Sequence, residues 1–72
     1  MTWDYRVVHR VVNAEEIYAV HEVYYDEDGF PSMVTEKPIP VQGETYEELV
    51  KDVVHYIAAL AYPILEYDEI GS

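Results

Sequence analysis

The sequence predicts an α+β fold: a three-stranded antiparallel β-meander with one C-terminal helix packed on one face of the sheet (β-β-β-α). Three observations predict it. Two long stretches before residue 26 alternate their side chains with a period of two, as strands do. An Asp-Gly pair then stands where a hairpin would turn. A helical capping motif finally opens a stretch whose apolar residues recur every three or four positions.

The first two predicted strands cover residues 2–12 and 17–25, with the polar segment 13–16 as a turn between them. In the first strand, one face carries Trp3, Tyr5, Val7, His9 and Val11. Large apolar side chains occur on both faces of both strands, which indicates that part of each face is covered. One helix covers only one face. We therefore expect the far face to be a Tyr-rich surface or to be buried against another chain.

Residues 26–29 are predicted to turn the chain into a third strand at residues 30–36. Pro31 near the start of this strand indicates an edge position, because proline cannot donate to a neighbouring strand. Residues 37–43, which contain two prolines, form a stiff connector to the helix.

The predicted helix covers residues 45–62, because Thr45 and Glu48 form a T-x-x-E capping box and Pro63 prevents continuation. Seven apolar side chains share one stripe of this helix, and we expect the stripe to lie on the sheet. It consists of Tyr46, Leu49, Val50, Val53, Ile57, Leu60 and Ala61. On the opposite side we expect water to surround Glu48, Lys51, Asp52 and His55.

The 72 residues form a single predicted domain with a tail at residues 63–72. Within the tail, residues 64–70 are apolar enough to form a short strand or a docked segment. A core this small barely offsets chain entropy, and no cysteine is present to add a disulfide, so we expect a homodimer or another partner. The expected dimer interface is a strand edge or the far sheet face. A smaller alternative patch consists of Ala58, Ala59 and Tyr62.

Charge and composition exclude several classes of protein. Four Lys+Arg against fifteen Asp+Glu give a net charge of −11, so phosphates would repel the chain and direct binding to nucleic acid is not expected. The 50% apolar content argues against disorder. There is no apolar run of about 20 residues for a membrane span, and we expect no signal peptide, because residues 1–4 show neither a charged leader nor an apolar stretch. We expect a cytoplasmic protein, which the lack of cysteine also fits.

Two patterns in the sequence are compatible with a metal site, but neither is specific for metal binding. His9 and His21 lie on neighbouring strands and could share an ion only if the hairpin register placed them together. Residues 26–29 resemble the start of a calcium loop, but Pro31 and Lys37 occupy the positions that require Gly and Glu. We expect no metal site and no cofactor.

Catalytic motifs are equally weak. The chain has no cysteine, and neither Ser32 nor Ser72 lies in a nucleophile-elbow context. The three glycines are scattered and form no phosphate-binding loop. We expect no catalytic residues, and therefore a protein that is not an enzyme.

The motif G-E-T-Y-E-E-L at residues 43–49, opening the helix after a β-meander, resembles the N-terminal domain of HicB-type antitoxins. The resemblance covers about residues 3–62 and implies a partial RNase H-like fold, neutralisation of a toxin or another binding role, dimerisation through the sheet, and no catalysis. That family usually continues into a DNA-binding domain; residues 1–72 contain none, so we expect no operator binding. The chain also resembles small acidic bacterial proteins of unassigned role, in W-D-Y-R-V at residues 3–7 and H-E-V-Y-Y-D-E-D-G at residues 21–29.

The eight tyrosines exceed what so small a core can hold, and tyrosine is enriched at interfaces, although ordinary strand and helix edges would also accommodate it. Net negative charge raises the encounter rate with a basic partner. The first hypothesis is therefore a non-enzymatic acidic protein-binding module, an antitoxin-like inhibitor of a basic nucleic-acid-acting protein. The predicted partner contacts are Tyr24, Tyr25, Asp26, Glu27 and Asp28, and secondarily Glu66, Asp68 and Glu69.

Two alternatives stay open. The first is a DNA mimic that inhibits a nuclease or a bacterial defence complex, such as a phage-encoded, anti-CRISPR-like protein. A mimic needs carboxylates in rows at phosphate-like spacing, whereas here they are scattered over turns and the helix start. The second is a structural homodimer whose acidity only provides solubility.

Overall fold

The computed structural model describes residues 2–71. The elements are β1 (Thr2–Val12), β2 (Glu15–Tyr25), β3 (Pro31–Val34), α1 (Tyr46–Ala59) and β4 (Leu65–Glu66), followed by a 3-10 helix (Tyr67–Glu69). The strands form one mixed sheet of order β3-β2-β1-β4, in which only the β1–β4 pair is parallel. The predicted α+β class is confirmed. The predicted three-stranded sheet is wrong in detail, because the tail contributes a fourth strand.

β1 and β2 form a long hairpin that is in register from Thr2–Tyr25 to Val12–Glu15. Its two-residue turn has positive φ at both positions, 52° at Asn13 and 67° at Ala14. This is the backbone conformation that joins strongly twisted antiparallel strands most directly. The second predicted strand therefore begins two residues too late, since β2 already includes Glu15 and Glu16.

The turn predicted at residues 26–29 is confirmed. The Asp26 carboxylate accepts hydrogen bonds from the backbone N–H groups of Asp28 (2.9 Å) and Phe30 (3.0 Å), and Gly29 has a φ of 83°. β3 then lies at the edge of the sheet, as Pro31 indicates. It is shorter than predicted, because it ends at Val34.

The start of α1 is also confirmed. The Thr45 hydroxyl accepts from the Glu48 backbone N–H at 3.1 Å, and the Glu48 carboxylate accepts from the Glu44 N–H at 3.0 Å. The helix ends at Ala59 with Leu60 as its C-cap, three residues before the predicted end.

The predicted orientation of the helix is wrong. The residues of α1 that are buried or half-buried are Leu49, Asp52, Tyr56 and Ala59. At 100° per residue, the centre of this set lies about 100° around the helix from the centre of the predicted stripe. Most of the apolar stripe consequently faces away from the sheet, and Asp52, expected in water, faces it.

Specific bonds fix this rotation. The Tyr5 hydroxyl on β1 donates to Asp52 Oδ1 at 2.9 Å, and the Gln42 backbone N–H donates to Asp52 Oδ2 at 3.1 Å. The Tyr5 ring also meets the Tyr56 ring edge-on, with 5.5 Å between the centroids. Asp52 thereby connects the sheet, the helix and the connector. The periodicity of the apolar residues could not reveal this side-chain hydrogen bond.

The far face of the sheet is covered by the chain itself, through the C-terminal segment (residues 62–71). Arg6 donates to the Pro63 carbonyl oxygen at 2.7 Å, and the Arg10 guanidinium lies 4.0 Å from the centroid of the Tyr67 ring. The prediction of a short strand or docked segment in the tail is confirmed. The far face was expected to be a Tyr-rich surface or to be buried against another chain. This expectation is corrected, since the C-terminal segment covers much of the far face.

The core is small. Val8 and Val23 lie on the far face and are fully buried, and Ala59 is buried on α1. Within residues 2–71 these are the buried apolar side chains, and Arg6 and His21 are buried beside them. Much of the chain's apolar surface therefore remains exposed in the monomer.

Candidate protein-interaction surfaces

The acidic turn, residues 26–28, lies at one end of the β1–β2 hairpin and is fully exposed. Its backbone is held by hydrogen bonds from Asp26 N–H to the Phe30 carbonyl (2.9 Å) and from Gly29 N–H to the Asp26 carbonyl (3.0 Å). Because the Asp26 carboxylate closes the turn, Glu27 and Asp28 provide its outward negative charge. The sequence-predicted acidic contact is thus a rigid, solvent-facing feature.

The two tyrosines predicted beside this turn are bonded within the chain. The Tyr24 hydroxyl donates to Glu22 at 2.8 Å, and this bond raises the pKa of Tyr24. The Tyr25 hydroxyl donates to Asp4 at 2.6 Å and accepts from Arg6 at 2.9 Å. Burial, followed by the bond to Asp4, raises the pKa of Tyr25. Both tyrosines are half-buried, so each can offer a partner only part of its ring.

The second predicted group lies in the C-terminal segment. Asp68 is exposed on the 3-10 helix, while Glu66 contacts His9. Glu66 and Glu69 line a hollow of about 280 Å³ together with Phe30, Pro31, Leu65 and Ile70. The first predicted group does not reach this hollow: Tyr25, Asp26 and Glu27 line a different one, together with Thr2 and Gly29.

His9 and His21 do not converge. The hairpin register pairs His9 with Tyr18 and His21 with Arg6, which places the two rings on opposite faces of the sheet. His21 is 2% exposed, and its Nδ1 lies 2.9 Å from the Thr35 carbonyl oxygen. Among residues 2–71, no group of three or more His, Asp or Glu side chains is arranged to hold a metal ion.

His9 instead lies between two carboxylates. Its Nδ1 is 2.8 Å from Glu66, its Nε2 is 3.2 Å from Glu16, and its ring stacks on Tyr18 at 4.7 Å. The hydrogen bond that His9 donates to the Glu66 carboxylate is the main cause that raises the pKa of His9 above 6.5, and the negative charges of Glu66 and Glu16 add to it. The charged form of His9 therefore ties β4 to the central hairpin.

A shallow hollow of about 310 Å³ lies between α1 and β1. It is lined by Trp3, Asp4, Tyr5, His55, Ala58 and Tyr62. Burial, and then the hydrogen bond to Asp52, raises the pKa of Tyr5 to about 12, so its phenol stays neutral at ordinary pH. The alternative dimer patch is divided, since Ala58 and Tyr62 border this hollow while Ala59 is buried.

A row of exposed apolar side chains lies on α1, and the sequence-based assignment of contacts missed it. We call it the helix stripe: Tyr46, Val50, Val53, Ile57 and Leu60, whose exposure ranges from 38% to 80%. The periodicity does identify these residues. It does not distinguish a stripe buried by the chain's own sheet from one left for a different partner.

No family model, curated protein or solved structure matches this chain. Within the described residues, the single α-helix falls short of the length and apolar character that a membrane crossing requires.

Proposed function

We propose that this chain is a non-enzymatic acidic protein-binding module, an antitoxin-like inhibitor that is held against the basic surface of a nucleic-acid-acting protein. The observation that carries the proposal is the rigid, exposed acidic turn at the end of a hairpin, in a chain with a net charge of −11. The resemblance of residues 43–49 to HicB-type antitoxins supports the same role. The lack of cysteine supports a cytoplasmic location.

Charge supports a basic partner in two ways. A strongly negative chain attracts a positive surface over about one Debye length, some 8 Å at physiological salt, and this raises the rate of encounter. The chain's own positive charge is also partly committed internally, since Arg6 and Arg10 contact the C-terminal segment. Those two guanidinium groups pack against tyrosine rings, while the carboxylates of Glu27 and Asp28 lie at the surface.

The turn's own geometry supports specific binding. Its four-residue loop is closed by hydrogen bonds to the Asp26 carboxylate and backbone, so little conformational entropy remains to be lost when a partner binds. The adjacent Phe30, which is 66% exposed, offers apolar contact area beside the charges.

The DNA-mimic alternative takes second place. The exposed carboxylates fall into separate segments of the chain: the acidic turn, the start of β2 at residues 15–16, Glu36 after β3, the helix start at residues 44–48 and the C-terminal segment. A mimic would require them to follow one another at phosphate-like spacing. Competition between this protein and duplex DNA for one groove of the partner is the result that would favour the mimic.

The test uses two double variants, each of which replaces two carboxylates by uncharged amides. Tagged protein recovers partners from host lysate, and the affinity of the principal partner is measured for the wild type, for Glu27→Gln/Asp28→Asn, and for the control Glu15→Gln/Glu36→Gln. The control removes the same charge from exposed sites outside the acidic turn: Glu15 lies at the other end of the hairpin, and Glu36 follows β3. We expect the turn variant to bind about 2- to 30-fold more weakly at low salt, and the control to bind almost as the wild type does.

Salt provides the second criterion. We expect the wild-type affinity to fall between about 50 mM and 300 mM salt, and the difference between the two variants to shrink with it. A partner that is not basic, an affinity indifferent to salt, or equal losses in both variants would contradict the proposal.

A further inference from the structure

We propose that the helix stripe is the interface between two copies of this chain, which pack α1 against α1. This inference does not rest on the proposed function, because it concerns a different surface with different chemistry. It differs from the strand-edge and sheet-face interfaces that the sequence predicts, and four observations support it.

The first observation is the exposure of the stripe. α1 turns Asp52, Tyr56 and Ala59 towards the rest of the chain and leaves the stripe in solvent. Ile57 is 62% exposed and Leu60 is 70% exposed. An amphipathic helix is normally held by burial of its apolar face, so this helix lacks its usual source of stability in the monomer.

The second observation is the spacing of the stripe. Its five residues are separated by four, three, four and three positions, which is the repeat of about 3.5 residues that two packed helices share. In that repeat the β-branched Val50 and Ile57 occupy the a positions, and the d positions are Tyr46, Val53 and Leu60. β-branched residues at a with leucine at d favour pairs of helices over larger bundles. The repeat is only two heptads long, so the pair depends on the rest of the fold to hold each helix in place.

The third observation is the charge of the stripe. All five of its side chains are uncharged, although the whole chain carries −11. The positions that flank it are Glu47, Leu49, Val54, Tyr56 and Ala61, of which Glu47 alone is charged. A basic partner would find almost no carboxylate here, whereas an identical uncharged face can meet it without burying like charges. Charge complementarity thus assigns the acidic turn to a basic partner and the helix stripe to a second copy.

The fourth observation is the area. The monomer exposes 5443 Å², whereas a compact monomer of 8.4 kDa is expected to expose about 4,600 Å². The excess of about 800 Å² equals the area that each partner buries in an interface of standard size. The Cα radius of gyration of 12.8 Å likewise exceeds the ~11 Å expected for this length. The exposed side chains of the helix stripe contribute to this excess, and pairing through the stripe would bury them.

The test is sedimentation equilibrium of the wild type and two matched variants. Ile57→Glu adds one charge at the centre of the stripe, and Met33→Glu adds the same charge to an exposed apolar site on the edge strand β3. We expect the wild type and Met33→Glu to sediment at twice 8.4 kDa. We expect Ile57→Glu to weaken the dimer about 100-fold or more, because it buries an unpaired charge. A monomeric wild type, or a dimer that Met33→Glu dissociates and Ile57→Glu does not, would overturn the inference.

A cross-linking measurement on two cysteine variants keeps the result clear if Ile57→Glu unfolds. The chain contains no cysteine, so Val53→Cys introduces one thiol at the middle of the stripe. Under mild oxidation it should form a disulfide-linked dimer much faster than Met33→Cys does, and equal rates would overturn the inference.

Salt then separates this inference from the proposed function. The dimer should become tighter as salt rises, because salt screens the repulsion between two chains of −11 each, whereas binding to a basic partner should weaken. If the dimer is not found, the proposed binding to a basic partner is unaffected, and if no basic partner is found, the proposed dimer is unaffected.

Discussion

The hydrogen bond between Tyr5 and Asp52 orients α1 on the sheet, and its removal should have a measurable cost. Tyr5→Phe deletes the hydroxyl that donates to Asp52 Oδ1 at 2.9 Å and keeps the ring that packs on Tyr56. A hydrogen bond to a charged acceptor contributes about 1.5–3 kcal/mol. Asp52 is half-buried, so water replaces part of the lost bond, and we expect a loss of about 1–1.5 kcal/mol in the free energy of unfolding.

Urea unfolding followed by the fluorescence of Trp3, which lies 5.7 Å from the Tyr5 ring, measures this loss. All samples are compared at one protein concentration, because a dimer's stability depends on concentration. In thermal unfolding, 1 kcal/mol corresponds to about 4–8 °C for a domain of this size. The matched control is Tyr18→Phe, which removes the hydroxyl of a tyrosine that is 60% exposed and keeps its ring stacked on His9. It should change stability by less than about 0.5 kcal/mol.

The pH dependence of the difference gives a second, independent check. The pKa of Tyr5 is raised from 10.0 to about 12 in the folded chain, by burial first and by Asp52 second. A group with a raised folded pKa stabilises the fold fully below its unfolded pKa and loses that contribution as pH rises through the folded value. The difference in stability between wild type and Tyr5→Phe should therefore persist up to pH 10 and vanish towards pH 12. Equal stability of Tyr5→Phe and Tyr18→Phe, or a difference that does not change with pH, would refute this account of the helix's orientation.

Two further predictions concern the hairpin and its tie to β4. Ala14→Gly should stabilise the chain by about 0.5–1 kcal/mol in urea unfolding, because relief of the positive φ of 67° outweighs the added freedom of the unfolded chain; the reverse sign would contradict the turn geometry. The pKa of His9, measured by NMR titration, should lie above 6.5 and should fall further in Glu66→Gln than in Glu16→Gln, since the bond to Glu66 is the main cause of the shift. The stabilisation from His9 should be complete below pH 6.5 and lost as pH rises through its raised pKa. Identical pKa values of His9 in the wild type and in both variants would count against the contacts to the two glutamates.

Local signals in the sequence predict the secondary structure well. The alternation in residues 2–12 coincides with β1, the Asp-Gly turn forms at residues 26–29, and Thr45 caps the helix. Each of these depends on interactions within a few residues, such as the bond from Glu48 N–H to the Thr45 hydroxyl. Such interactions are formed by neighbours along the chain, so their signature can be read from the chain alone.

The hairpin register shows where local reading stops. The two-residue turn at Asn13 and Ala14 fixes which residues of β1 and β2 face each other, and thereby separates His9 from His21. A shift of one residue would have put every side chain of β2 on the other face. The composition of the two strands is compatible with either register, so the sequence left open whether His9 and His21 converge, and the pairing answered it.

The sequence by itself determined the three strands β1 to β3, the helix α1, their order, the acidic turn and the apolar spacing along α1. Only the tertiary structure decided what that spacing faces, because Asp52 accepts from Tyr5 and turns the helix stripe away from the sheet. It also decided that Arg6 and Arg10 hold the C-terminal segment over the far face. Both arrangements depend on contacts between residues about 50 positions apart in the sequence, which local patterns do not reveal. The hydrophobic effect is also non-directional, so an apolar stripe does not specify whether its own chain or another chain covers it.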